Sequence, residues 1–116
     1  MDEKKKADIQ NLTKSCNEIL VLSFLRDGSK HGYQLALHSE EAAEGYFRFN
    51  YGTLYPILHK LENQGLIKGS WSDEGPRGKR KSYSLTRKGS AWLEREKGNW
   101  RRFIERFQEV IEGDDR

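Results

Sequence analysis

The sequence has very little cysteine and no long apolar run. Its 116 residues include one cysteine, Cys16, which excludes an internal disulfide and any metal cluster built from cysteines. No apolar run reaches the roughly 18 residues of a membrane span, and no signal-peptide core follows the opening Met-Asp-Glu-Lys-Lys-Lys. We therefore expect a cytoplasmic protein without a membrane partner. Cys16 itself is either a small core residue or a redox sensor.

Patterns typical of enzymes are also missing. His31, His38 and His59 do not have the spacing of metal ligands, so we expect no metal site and no cofactor. No serine or cysteine stands in a nucleophile motif, and no glycine-rich loop resembles a phosphate cradle. These absences predict that the protein is not an enzyme.

Charge, by contrast, is abundant. Charged residues make up 34% of the chain, above the roughly 25% of an average domain, and the net charge is +3. A chain of this length has room for one domain, and its apolar residues at helical spacing argue against disorder. The net charge is only mildly basic, so its location matters more than its total.

Apolar spacing and turn residues predict four helices and two short strands. A glycine-rich polar segment, 72–80, separates the strands and is too long for a tight turn. The predicted helices are Leu12–Leu25, Gly32–Glu41, Tyr51–Gln64 and Thr86–Ile111, and the predicted strands are Leu66–Trp71 and Lys81–Leu85. This order predicts a mainly α fold with a small β-wing, in which a winged helix-turn-helix domain (1–85) continues into a long C-terminal dimerisation helix (86–116).

The start of the third helix has two interpretations. Asn50 is a plausible N-cap, which places Pro56 inside the helix and predicts a kink there. If Thr53 is the cap instead, Pro56 lies in the first turn, where its missing N–H costs nothing. The sequence does not decide between them.

Two segments carry candidate DNA contacts. From Gly75 to Leu93 the chain has several basic residues and no acidic one. Cations on a flexible loop can reach closely spaced phosphates. Polar and aromatic side chains near the start of the third helix suit base edges and phosphate oxygens. The candidates are Asn50, Tyr51, Thr53, Tyr55, His59, Lys60, Arg77, Lys79, Arg80 and Lys81. The alternatives are a merely solvated basic loop, a core role for Tyr55 and a purely capping role for Asn50.

Several short motifs resemble those of the PadR family of bacterial regulators. They are His31-Gly32-Tyr33, Gly52-Thr53-Leu54-Tyr55-Pro56, Leu61-Glu62, Gly65-Leu66-Ile67 and the segment 81–89 after the wing. The resemblance implies a winged-helix domain that binds double-stranded operator DNA, a C-terminal dimerisation helix and, usually, repression of an adjacent promoter. The chain resembles the short members of the family. It departs from many of them at Ser82, where they have an aromatic residue.

The last predicted helix has the pattern of a homodimer seam. Leu93, Trp100 and Phe107 are spaced by sevens, and Phe103 and Val110 occupy the companion heptad positions. A monomer of this size has too little interior to bury so many aromatic residues. The predicted interface residues are Leu93, Trp100, Phe103, Ile104, Phe107, Val110 and Ile111.

An interruption in this seam suggests a ligand site. Residues 96–99 are polar or glycine, and multidrug-sensing PadR-like proteins, which the chain resembles, have a tryptophan lining a cavity at the position of Trp100. This implies a small aromatic or cationic effector held by Trp100, Glu96 and Phe103; in the alternative, Trp100 is packed core. The predicted function is a transcriptional repressor relieved by a small-molecule or stress signal. The alternative is a winged-helix protein–protein interaction module without operator binding.

Overall fold

A computed structural model describes residues 10, 12, 15–73 and 78–113 of the chain. Within them, helices and short strands alternate around one core. They are α1 (Cys16–Phe24), β1 (Lys30–His31), α2 (Gly32–Glu41), α3 (Tyr51–Asn63), β2 (Ile67–Ser72), β3 (Arg80–Leu85) and α4 (Arg87–Ile111), with a 3-10 turn at Ala42–Gly45. The predicted fold class, mainly helical with a small β-wing, is confirmed.

The core forms where the apolar faces of the helices meet the sheet. Leu22 of α1, Leu35 of α2 and Leu58 of α3 are fully buried in one cluster, and Ile67 and Tyr83 of the strands close it. Burying a leucine side chain stabilises a fold by about 1.5–3 kcal/mol, so this cluster holds the three helices together.

The start of α3 is settled by its N-cap. The side-chain oxygen of Asn50 accepts a hydrogen bond of 2.8 Å from the backbone N–H of Thr53, which makes Asn50 the cap. Pro56 therefore lies inside the helix and has no N–H to donate to the carbonyl of Gly52. The alternative in which Thr53 caps the helix is wrong.

The sheet contains a strand that the sequence did not predict. The strand order is β1-β3-β2, with both neighbouring pairs antiparallel. Lys30 pairs with Tyr83, and His31 pairs with Ser82. Because α2 starts at Gly32, immediately after β1, this pairing places the start of α2 beside β3, which together with β2 forms the wing.

The C-terminal end of α3 is bonded to the beginning of α4. Thr86 Oγ1 donates to the Gly65 carbonyl at 2.7 Å, and Lys88 Nζ donates to the Gln64 carbonyl at 2.9 Å. Thr86 also caps α4 by accepting from the Gly89 N–H at 2.9 Å. A Cβ added at Gly89 would collide with the backbone carbonyl of Leu66, so the first turn of α4 packs directly on the segment between α3 and β2, with no room for a side chain there.

The two halves of α4 have different surroundings. Leu93, in the first half, is 2% exposed and belongs to the core of the single chain. Its place in the dimer seam stays a prediction, and almost none of its side chain is left for a partner to contact. From Arg101 onward every described residue of α4 is exposed except Phe103, which is half-buried. No helix in the part of the chain described is long and apolar enough to span a membrane.

Candidate nucleic-acid interface

The beginnings of α2 and α3 and the wing strands enclose an open crevice of about 260 Å³. Aromatic and basic side chains line it together, because the β1–β3 pairing brings the start of α2 to the strands that carry the cations. The lining residues are His31, Gly32, Tyr33, Tyr51, Tyr55, Trp71, Lys79, Arg80, Lys81 and Tyr83. Of the predicted DNA contacts, the structure thus brings together five: Tyr51, Tyr55, Lys79, Arg80 and Lys81.

Two tyrosines of α3 form one wall of the crevice. The rings of Tyr51 and Tyr55 stack with centroids 6.1 Å apart, and the residues are 57% and 52% exposed. The alternative that Tyr55 is a core residue is therefore wrong. The ring of Tyr51 lies against Gly32, where an added Cβ would be only 3.1 Å from a ring carbon of the tyrosine. Gly32 thus allows α2 to approach the first turn of α3.

The other predicted contacts on α3 are at its surface. Asn50, Thr53, His59 and Lys60 are all exposed. Asn50 is engaged as the cap of the helix, so its side-chain oxygen already has a partner. Lys60 Nζ lies 3.2 Å from a carboxylate oxygen of Glu18 on α1, which neutralises part of its charge. These side chains do not line the crevice.

The basic side chains of the wing differ in whether they already have partners within the protein. Lys79 is exposed, whereas Nη1 of Arg80 lies 3.1 Å from Nε2 of His31. Lys81 Nζ donates to Glu62 of α3 at 2.9 Å. That ion pair argues against the predicted role of Lys81 as a phosphate contact, because a phosphate would have to displace a carboxylate. Arg77 lies outside the described residues.

Burial, hydrogen bonding and charge shift the pKa values of three side chains around the crevice: burial raises the pKa of Tyr83, and His31 and Lys81 are shifted as well. The pKa of His31 is lowered from 6.5, first by burial and then by the positive charge of Arg80. The hydrogen bond to Glu62 raises the pKa of Lys81. Lys81 is therefore held firmly in its charged form, while His31 is held neutral.

Five residues that line the crevice were not among the predicted DNA contacts: His31, Gly32, Tyr33, Trp71 and Tyr83. Tyr33 and Trp71 are both exposed, and His31 caps α2 by accepting from the Gln34 N–H at 3.2 Å. The motif His31-Gly32-Tyr33 and the exposed position of Trp71 at the end of a strand were visible in the sequence. Their proximity was not, since it depends on the two-residue strand β1.

The predicted ligand residues lie along α4, away from this crevice. The ring centroids of Trp100 and Phe103 are 5.3 Å apart, edge to face. Glu96 accepts from the Asn99 side-chain amide at 3.3 Å. The indole N–H of Trp100 is buried and has no hydrogen-bond partner among the residues that the structure describes. The described residues contain no group of His, Cys, Asp or Glu side chains that could hold a metal ion.

Comparisons with known proteins agree with the fold. A PadR family transcription regulator from Clostridium difficile R20291 is 34% identical, with a TM-score of 0.68 over 82% of this chain and 96% of the other. PadR of Bacillus subtilis, solved in complex with operator DNA, is 26% identical, with a TM-score of 0.63 over 68% of this chain and 44% of that one. The transcriptional regulator YqjI of Escherichia coli is 32% identical over 66% of this chain and 35% of its own length.

The family model gives the same assignment. It describes the transcriptional regulator PadR-like family and matches residues 21–95, which run from α1 into the first half of α4. This range contains the whole crevice, from His31 to Tyr83. The resemblance predicted from the short motifs is thereby confirmed, and the chain belongs to the PadR-like family of transcriptional regulators.

Proposed function

We propose that the chain represses transcription by binding double-stranded operator DNA with α3 and the wing. One observation carries this proposal: Tyr51 and Tyr55 of α3 line the same crevice as Lys79 and Arg80 of the wing. A helix that presents polar and aromatic groups beside basic strands is the arrangement with which winged helix-turn-helix proteins read a major groove and hold the backbone.

The chemistry of the two parts fits complementary tasks. Thr53 and Tyr51 stand in the first turn of α3, where the unpaired backbone N–H groups and the helix dipole favour anionic phosphates. Lys79 is exposed on the wing and can release counterions when it meets a phosphate. In this proposal α3 supplies sequence preference and the wing supplies affinity. The operator complex of Bacillus subtilis PadR, a family relative, supports it.

A homodimer through the second half of α4 completes the proposal. One face of this half carries exposed apolar side chains: Ile104, Phe107, Val110 and Ile111. The ring of Phe103 stacks on that of Phe107, with centroids 5.8 Å apart, and extends the same face. An apolar stripe of this kind is typical of a helix that packs against a second copy. Two-fold symmetry would present two copies of α3 to the two halves of an operator.

The release signal in this proposal is a small aromatic or cationic effector bound near Trp100, Glu96 and Phe103. The buried indole N–H of Trp100 has no partner within the described residues, and Glu96 supplies a negative charge one helical turn away. An effector lowers operator affinity only if it binds the free protein more tightly than the DNA-bound protein.

DNA binding is tested by selecting duplexes from a random library with the wild-type protein and measuring affinity against salt concentration. We expect a preferred sequence and a steep loss of affinity as salt rises. Lys79→Met should weaken binding to selected and shuffled duplexes alike and reduce the salt slope by about 0.9. If no duplex shows a salt-sensitive complex, the proposal fails and the protein-interaction module becomes the better explanation.

A further inference from the structure

Lys81 and Glu62 form an ion pair between the wing and α3. Nζ of Lys81 lies 2.9 Å from Oε1 of Glu62, and the two side chains are only 25% and 30% exposed. The same ammonium lies 5.6 Å from the ring centroid of Trp71 and 5.4 Å from that of Tyr83. The lysine is thus bonded to a carboxylate and flanked by two aromatic rings, so its position is defined on several sides.

The strand between the two partners has no side chain where they meet. A Cβ added at Gly69 of β2 would collide with Cε of Lys81 and lie 2.7 Å from Oε2 of Glu62. Gly69 is not among the glycines with positive φ, so its backbone conformation does not require glycine. Because Gly69 has no side chain, the space above it is free for the side chains of Lys81 and Glu62 to meet across β2.

We propose that the Glu62–Lys81 pair, passing over Gly69, sets the position of the wing relative to α3, and that Lys81 is a positioning residue and not a phosphate contact. The inference rests on the proposed function, because it matters only if α3 and the wing meet one DNA duplex together. The pair joins α3 to β3 at the edge of the crevice that carries the proposed DNA contacts.

The charge balance supports this assignment. Lys81 and Glu62 cancel each other, so the pair adds no net charge to the DNA-facing surface. A neutralised lysine holds few counterions and releases few when DNA binds. Lys79 is different, because it is exposed and lies just before the strand that carries Lys81. Loss of the whole ion pair should therefore leave the salt dependence unchanged, and loss of Lys79 should weaken it.

The experiment compares Glu62→Gln, Lys81→Met, the double variant of both, and Lys79→Met as a matched loss of one charge. Each is titrated with a duplex selected from a random library by the wild-type protein and with a shuffled duplex of the same length. Circular dichroism confirms that each variant is folded. We expect Glu62→Gln and Lys81→Met each to lower the ratio of specific to non-specific affinity by about tenfold, the size of one misplaced base contact.

Two further readouts separate positioning from contact. The double variant removes one charge of each sign, so its salt slope should equal that of the wild type, whereas that of Lys79→Met should be smaller by about 0.9. The double variant should lose no more specificity than either single variant, because each single change already breaks the same ion pair. Gly69→Ala, which obstructs the pair without removing a charge, should lower specificity in the same way.

The contrary results are distinct. If Glu62→Gln strengthens binding to the shuffled duplex and steepens the salt slope while specificity is kept, Lys81 is a phosphate contact and the inference is overturned. Additive losses in the double variant overturn it as well. If the wild type and Lys79→Met bind neither duplex, the proposed DNA-binding function itself fails.

Discussion

Nη1 of Arg80 lies 3.1 Å from Nε2 of His31, while Nδ1 of the same imidazole accepts the Gln34 N–H at 3.2 Å. A neutral histidine has one nitrogen that accepts, so only one of these contacts is a full hydrogen bond in any tautomer. A protonated histidine accepts neither. Each of the two contacts, the cap of α2 and the contact with Arg80, therefore requires His31 to be uncharged.

The first prediction concerns pH. Because the pKa of folded His31 is lowered from 6.5, the unfolded chain binds a proton that the folded chain does not, and stability falls as the pH drops below that value. His31→Asn keeps a capping oxygen but does not titrate. We expect wild-type stability, measured by urea unfolding, to fall more than that of the variant between about pH 7 and pH 5.5. Parallel curves for the two proteins would contradict this role of His31.

The second prediction separates the two roles of Asn50. Asn50→Ala removes the acceptor for the Thr53 N–H and should lower the free energy of unfolding by about 1 kcal/mol. Asn50→Asp keeps that acceptor and adds a negative charge on the proposed DNA-facing surface. We expect it to retain stability in urea unfolding and to lose operator affinity in titrations. An aspartate variant that binds DNA as tightly as the wild type would show that Asn50 is a cap and nothing more.

The third prediction compares two glycines of α4. Gly89→Ala drives a Cβ into the Leu66 carbonyl and should cost about 1–3 kcal/mol in the free energy of unfolding. Gly98→Ala meets nothing within 4 Å in the described part of the chain, and should gain about 0.5–1 kcal/mol from helix propensity. Thermal and urea unfolding of both variants check the contrast. Equal effects would contradict the close approach of α4 to the segment that follows α3.

The fourth prediction addresses the homodimer. Phe103→Asp with Phe107→Asp places charges on the apolar face of α4, where an unpaired buried charge is strongly unfavourable. Sedimentation should then show a monomer that keeps the helical signal of the wild type. Arg102→Asp, at an exposed position on the opposite face of α4, adds the same kind of charge and should leave the dimer intact. A doubly substituted protein that still sediments as a dimer excludes this interface.

The fifth prediction tests the effector site. Planar cationic dyes should quench tryptophan fluorescence of the wild type by stacking near Trp100, with cation–π attraction adding to the aromatic contact. Trp100→Ala should weaken dye binding, whereas Trp71→Phe, a change at an exposed tryptophan on the wing, should not. Dye and operator duplex should also oppose each other in a competition titration. Equal dye affinity in the two variants would remove Trp100 as the platform.

The sequence predicted the helices well because their signals are local. The apolar stripe of α3 and its cap at Asn50 lie within one segment, so its bounds, Tyr51–Asn63, differ from the predicted Tyr51–Gln64 by one residue. Strand β1 was missed because two residues cannot show an alternating pattern. Its existence depends on the distant partners Tyr83 and Ser82.

The site was predicted less completely, for the same reason. The exposed tyrosines of α3 and the exposed Lys79 stand where their sequence pattern placed them. The state of Lys81 was not predictable, because its partner Glu62 lies 19 positions away on another element. Leu93 fits a heptad in the sequence, yet the first half of α4 packs against α1 and buries it in the chain's own core.

The bonds from Thr86 and Lys88 fix the C-terminal end of α3, so a change in the orientation of the helix displaces its N-terminal end most. Its 13 residues make an arm of about 20 Å, at 1.5 Å of rise per residue. A rotation of about 10° about the fixed C-terminal end would displace the N-terminal end of α3, at Asn50, by about 3.4 Å, which is the rise of one base pair. The orientation of α3 therefore has to be held well within this angle if its first turn is to meet a defined base pair, and Leu54 and Leu58, which are buried along its inner face, hold it there.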